Sequence, residues 1–159
     1  FNLNKKYTYT DVCWLLNWKV EEVSLNIGGY KYDKYTNTYP VFINYDKSEE
    51  VSASIRYEDR FIDQSRLIAI SKSQRTIASD DVDNAIHAGE RQILMPLFVR
   101  KNKDDKTSKE FYFLGTIKHN GHLQEFIMPD TDKSAVEIGY HLNTPVENNL
   151  YEYITERTI

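Results

Sequence analysis

Three short runs in this chain of 159 residues combine side chains whose chemistry goes beyond packing. They are Tyr57-Glu58-Asp59-Arg60-Phe61, Ser71-Lys72-Ser73-Gln74-Arg75-Thr76 and His119-Asn120-Gly121-His122. Asp59 precedes an apolar stretch that ends at Lys72, the carboxylate, strand and lysine layout with which metal-dependent nucleases hold a cation and orient water. Such a site needs a second carboxylate two positions before the lysine, where Ile70 stands, and this weakens the nuclease reading. His119 and His122 have a metal-ligating spacing mainly on a helix, whereas Asn120-Gly121 between strand-like segments reads as a turn. The single cysteine, Cys13, supports neither an internal disulfide nor a multi-thiolate zinc site. No phosphate-binding Gly-rich loop and no Gly-x-Ser-x-Gly elbow occurs. What remains is aromatic and hydrogen-bonding chemistry. The 12 Tyr, seven Phe and two Trp, set beside Asn, Ser, Thr, Lys and Arg, can sandwich a planar base, read its edge and hold its phosphates. Strand-rich cores consume aromatics too, so composition alone does not decide.

The elements that must position these residues are legible from pattern. Thr8 or Thr10 ahead of Asp11, Val12, Leu15 and Leu16 predicts a capped amphipathic helix over about 10–18, with Cys13, Trp14 and Trp18 in or near the core. Tyr30 to Tyr45 reads as a hairpin, turning at Asn37 and starting its second strand after Pro40. Val51 to Glu58 alternates with period two, putting Tyr57 on the buried face and Glu58 on the wet one. Leu67 to Ile70 is apolar throughout, as in a strand covered on both faces. Ser79-Asp80-Asp81 opens a second helix. Strands follow at 97–100, 111–118, 125–128 and 135–142, all expected to pair antiparallel, and 147–156 reads as a terminal helix with Leu150, Tyr151 and Ile154 inward. The expected fold is α+β and strand-rich: a curved antiparallel sheet or partly closed β-barrel with two or three short flanking helices.

The length suits one domain, and the composition (40% hydrophobic, 28% charged) is that of a folding chain. No apolar stretch is long enough for a membrane helix and no basic-then-apolar leader opens the sequence, so a soluble, cytoplasmic protein without membrane partners is expected. Phe1 in first position suggests a fragment of a larger multidomain protein. The net charge of −4 is uneven: residues 120–159 hold seven acids against Lys133 and Arg157, leaving the remainder at +1. Within that remainder, 91–109 carries Arg91, Arg100, Lys101, Lys103, Lys106 and Lys109 against Asp104 and Asp105. Such a basic loop on a neutral body can touch phosphate, or simply be a solvated hairpin tip.

Several motifs occur together in an order that resembles a known domain. These are Asp11-Val12-Cys13-Trp14-Leu15-Leu16-Asn17-Trp18, Gly29-Tyr30-Lys31, Pro40-Val41-Phe42-Ile43-Asn44-Tyr45, Tyr57 to Phe61, Ser71 to Thr76, Phe98-Val99-Arg100-Lys101 and Tyr112-Phe113-Leu114-Gly115. Over residues 7–145 the chain resembles the C-terminal domain, formerly of unknown function, of SauUSI-like type IV restriction enzymes. Those enzymes join a phospholipase-D-type nuclease to a superfamily 2 helicase motor. The resemblance implies a non-catalytic target-recognition module for DNA carrying 5-methylcytosine or 5-hydroxymethylcytosine, with nuclease and helicase domains as partners in the parent chain. It implies no cofactor in this domain, ATP and a divalent metal belonging to the parent. By analogy of function and strand content, the barrel would be of the SRA or PUA-like kind.

On that resemblance, recognition proceeds by base flipping into an aromatic pocket. A methyl group contributes only about 1 kcal/mol of apolar burial, so selectivity must come from shape and paired polar groups. Asp59 or Glu58 would accept from the exocyclic amine of cytosine, Tyr57 or Phe61 would supply a stacking wall, and Tyr30 and Tyr45 are further ring candidates. Ser71, Lys72, Ser73 and Arg75 would grip the backbone of the extruded nucleotide, and Arg100, Lys101 and Lys103 the flanking duplex. Each has a plainer reading: core aromatics, structural salt bridges, a turn. A protein-interaction or autoinhibitory domain that docks on the parent motor stands as the alternative.

Overall fold

The computed structural model describes residues 1–19, 31–46, 59–72, 74–102, 109–128 and 132–156. Among these, seven strands and three short helices follow the order β1 (Lys6–Tyr7), α1 (Tyr9–Leu15), β2 (Val41–Asp46), β3 (Arg60–Asp63), β4 (Arg66–Ile70), α2 (Asp80–Ile86), β5 (Pro96–Asn102), β6 (Phe111–Ile127), β7 (Ser134–Leu142) and α3 (Asn148–Thr155). One sheet runs β2-β5-β6-β7-β4-β3, with β1 added on β6, and it curls into a half-barrel. The strand expected over 51–57 lies outside the described residues.

The curl originates in β6. Its first half pairs with β5 and its second with β7. Between the pairs Pro96↔Thr116 and Phe98↔Phe113, two steps along β5 face three along β6, and Gly115 takes up the extra residue at φ +91°. Between His119↔Tyr140 and Leu123↔Ile138, two steps along β7 face four along β6, with Gly121 at φ +99°. Bulges of this kind bend a strand and raise its twist. The His119 to His122 run is therefore a bulge within one continuous strand, and not the turn between two strands that Asn120-Gly121 suggested. A second correction concerns strand direction: β2 and β5 pair in parallel, with β3, β4 and α2 between them among the described residues, while the other strand pairs described are antiparallel.

Both faces of the β2-β5-β6 region are dry. Val41, Ile43, Leu97, Val99, Leu114 and Ile117 point into the main core, which β4, β7, α2 and α3 complete. Phe42, Phe98, Phe111 and Phe113 face the other way and are covered by Val12 and Cys13 of α1 with Leu16 and Trp18 just beyond it. Phe42 and Phe98 stack at 5.1 Å. The helices begin where local chemistry predicts. Thr8 and Asp11 form a reciprocal capping box at α1, and Glu147 accepts from the N–H groups of Asn149 and Leu150 at α3. Ser79 does precede α2, but its hydroxyl accepts from Thr76 N instead of capping the helix. Trp14 is half exposed, unlike the core residue expected.

Candidate nucleic-acid interface

β7 alternates. Val136, Ile138, Tyr140 and Leu142 enter the main core, which sends Glu137 and Gly139 to the opposite face of the sheet. Register brings Glu137 beside Ile70 of β4 and Gln124 of β6, and Gly139 beside Ile68, which in turn pairs with Arg60 of β3. Three charged or polar side chains from different strands converge there. Arg60 Nη2 donates to Glu137 Oε1 at 2.9 Å, and His122 Nε2 lies 2.7 Å from Glu137 Oε2. Glu137 is only 9% exposed. Burial pushes its carboxyl up, but the hydrogen bonds from His122 and Arg60, with their positive charge, outweigh burial and hold its pKa below the usual glutamate value. The bulge of β6 delivers His122 to this spot, and Gly139 makes room for it: a Cβ there would stand 2.7 Å from His122 Cβ and collide with Asn120 Oδ1.

Some of the sequence-selected residues border this cluster. Asp59, immediately before Arg60, accepts at Oδ1 from Ile70 N at 2.7 Å, which fastens the chain just ahead of β3 to β4. Ser71, next in the chain, is buried: its hydroxyl accepts from Val136 N at 2.8 Å and donates to Lys72 O. Lys72 is exposed beside it. Asp59, Ser71 and Lys72 thus lie close together at one end of the β3-β4 pair. Phe61 instead enters the main core, 8% exposed, with its ring 5.5 Å from Tyr45 and 5.6 Å from Tyr151. The Tyr45 hydroxyl accepts from Phe61 N. Arg75 turns to α2 and donates from Nε to Asp81 Oδ2 at 2.8 Å.

Arg100 lies elsewhere, donating to Asn44 Oδ1 with its guanidinium 4.6 Å from the centre of the Phe111 ring. The Lys101 ammonium sits 4.9 Å from the centre of the Tyr153 ring and 3.9 Å from Glu156 Oε2. That places Lys101 beside a shallow cleft of about 340 Å³ lined by Asn4, Tyr112, Glu147, Asn149, Leu150 and Tyr153. Tyr30, Tyr57, Glu58, Ser73 and Lys103 lie outside the described residues. Sequence reading missed Arg60, Glu137 and His122 as a group. The available signal was a lone carboxylate in the middle of the apolar run Ala135 to Tyr140.

No curated protein is a significant match by sequence. Among solved structures, the SUVH5 SRA domain in complex with hemimethylated CG DNA aligns with a TM-score of 0.58 at 10% identity, covering 92% of both chains. The DNA modification-dependent restriction endonuclease AspBHI aligns at 0.61 and 10% identity, over 94% of this chain and 79% of that one. The SUVH5 SRA domain bound to fully hydroxymethylated CG DNA aligns at 0.53 and 10% identity, again over 92% of each chain. At such identities the likeness concerns the fold, which is that of SRA domains. No helix among the described residues is long and apolar enough to cross a membrane. By sequence, residues 1–154 match the family described as a domain of unknown function, DUF3427, and the chain belongs to that family.

Proposed function

We propose that this domain binds double-stranded DNA and recognises 5-methylcytosine or 5-hydroxymethylcytosine, without catalysing a reaction itself. The observation that carries this reading is the fold: almost the whole chain superposes on SRA domains bound to methylated DNA and on a modification-dependent restriction endonuclease. The modified base would be flipped out beside the start of β3. There Asp59, fixed to β4 through Ile70, would accept from the exocyclic amine of cytosine, and Lys72 at the end of β4 would meet the phosphate backbone. The cluster of Arg60, Glu137 and His122 would hold the base of that site in place. Cleavage and translocation would belong to nuclease and helicase domains of a SauUSI-like parent, which would also supply the ATP and metal dependence.

Fluorescence anisotropy with methylated, hydroxymethylated and unmodified duplexes of one sequence tests recognition. A 2-aminopurine reporter placed next to the modified cytosine tests flipping, because its fluorescence rises when the neighbouring base leaves the stack. A second reading, docking on the parent motor, is favoured by the cleft beside α3, where the exposed Tyr153 ring borders Asn4, Tyr112 and Asn149. It predicts binding to the isolated motor and none to DNA.

A further inference from the structure

We infer that the turn from Asp33 to Thr38 is a second DNA contact, a tyrosine tip flanked by lysines that meets the backbone of the bound duplex. The inference rests on the DNA-binding reading above but uses none of the residues assigned there. Asp33 and Thr38 exchange both backbone hydrogen bonds, at 2.8 and 3.2 Å, closing a tight loop. Asp33 Oδ2 accepts from Thr36 N and from the Thr36 hydroxyl. With that proton committed, the Thr36–Thr38 hydroxyl contact of 2.7 Å requires Thr38 to donate, and Thr38 Oγ1 in turn accepts from Trp18 Nε1 at 2.9 Å. The proton chain therefore has one direction, from indole to carboxylate. Asn37, at φ 55°, accepts from the Tyr32 hydroxyl and donates to the carbonyls of Arg91 and Gln92.

The polar groups at the base of this loop are thus turned inward, and what it presents outward is Lys34 and Tyr35. Tyr35 is 62% exposed. The Lys19 ammonium lies 3.6 Å from the centre of its ring and that of Lys34 5.3 Å, while the Lys31 ammonium lies 5.7 Å from the centre of the Trp18 ring. The carboxylate of the turn, Asp33, is buried and turned to Thr36, so the side chains that the tip presents outward are Lys34 and Tyr35. Ammonium groups held beside an exposed flat ring suit a sugar-phosphate backbone, and a loop already fixed by its own hydrogen bonds loses little entropy on binding. The turn precedes β2, whereas Tyr45 lies near its end. Seven residue steps lead from Thr38 to Tyr45, about 23 Å when extended, so the tip and the start of β3 would touch the duplex about seven base pairs apart.

The test is anisotropy titration of the intact chain with methylated and unmodified duplexes over a salt series. Lys19→Ala/Lys34→Ala is expected to weaken binding to both duplexes about tenfold, to leave their affinity ratio unchanged and to reduce the salt slope by about two. Tyr35→Ala is expected to weaken both about fivefold. Lys5→Ala/Lys118→Ala removes equal charge from other exposed positions, and circular dichroism reports whether each variant stays folded. Tip variants that bind as the wild type does, or lose no more than Lys5→Ala/Lys118→Ala, overturn the proposal while leaving the recognition reading intact. A wild-type chain with no affinity for duplex DNA overturns both.

Discussion

The hydroxyl of Tyr45, at the end of β2, accepts a hydrogen bond from the backbone N–H of Phe61 in β3 at 3.2 Å, and the two rings lie 5.5 Å apart. Among the described residues β2 and β3 are the outermost strands of the sheet, so this contact joins one edge of the curl to the other. The edge residues that would otherwise face solvent become part of the core, and the start of β3 acquires a fixed position. Tyr45→Phe keeps the ring and removes the acceptor, with an expected cost of about 1 kcal/mol. Phe61→Ala leaves a hole between Tyr45 and Tyr151, with an expected cost of about 3 kcal/mol. Urea denaturation of the two variants checks the order, and equal losses would show that the ring adds nothing to the seam.

Glu137 links acidity to stability. Its carboxyl lies below the usual value in the folded state, so in the acidic window the unfolded chain binds more protons than the folded one. Stability from this group is therefore complete above the ordinary glutamate range and is lost as pH falls through the lowered pKa. Glu137→Gln should cost about 2 kcal/mol at neutral pH, because Arg60 and His122 lose their shared carboxylate. It should also flatten the acid limb of a plot of melting temperature against pH. An acid limb of unchanged steepness would remove Glu137 from this role.

Gly139→Ala tests the bulge. The added methyl group meets His122 Cβ and the Asn120 amide, so the bulge must shift or the strands part, at an expected cost of about 1–3 kcal/mol. The imidazole signal of His122 should move in a proton NMR spectrum of the same variant. A fully stable variant with an unmoved His122 would show that β6 and β7 tolerate wider spacing.

Asp59 carries both a structural and a recognition prediction, and two substitutions separate them. Asp59→Ala leaves Ile70 N without its acceptor and should cost about 1–2 kcal/mol. Asp59→Asn keeps an oxygen for Ile70 N but presents an amide donor where the proposal needs an acceptor. It should preserve the fold and lower the preference for modified cytosine at least tenfold. Retained selectivity in a folded Asp59→Asn would take the carboxylate out of the base pocket.

The helices were readable because their determinants are local: the Thr8 and Asp11 capping box, and Leu150, Tyr151 and Ile154 spaced to bury one face of α3. β4 and β7 were readable from apolar runs. β6 was readable only in pieces, over 111–118 and 125–128, since Asn120-Gly121 has turn chemistry, and the missing side chain of Gly139 on the neighbouring strand lets the chain continue through as a bulge. The parallel pairing of β2 with β5 was hidden because it depends on where the chain returns after a long connection of about fifty residues. Of the candidate site, the proximity of Asp59 to Ser71 comes from the pairing of β3 with β4, and β3 was not among the strands that pattern predicted. The Arg60, Glu137 and His122 cluster was not readable either, because its members lie on three strands whose registers the sequence leaves open.

The central claim is recognition of a modified cytosine, and the most direct measurement is the affinity of the wild-type chain for two duplexes that differ by one 5-methyl group. The account predicts tighter binding of the methylated duplex by about tenfold or more, with the preference persisting as salt weakens both. Equal affinities across the salt series would contradict it, leaving at most a DNA-binding domain indifferent to methylation.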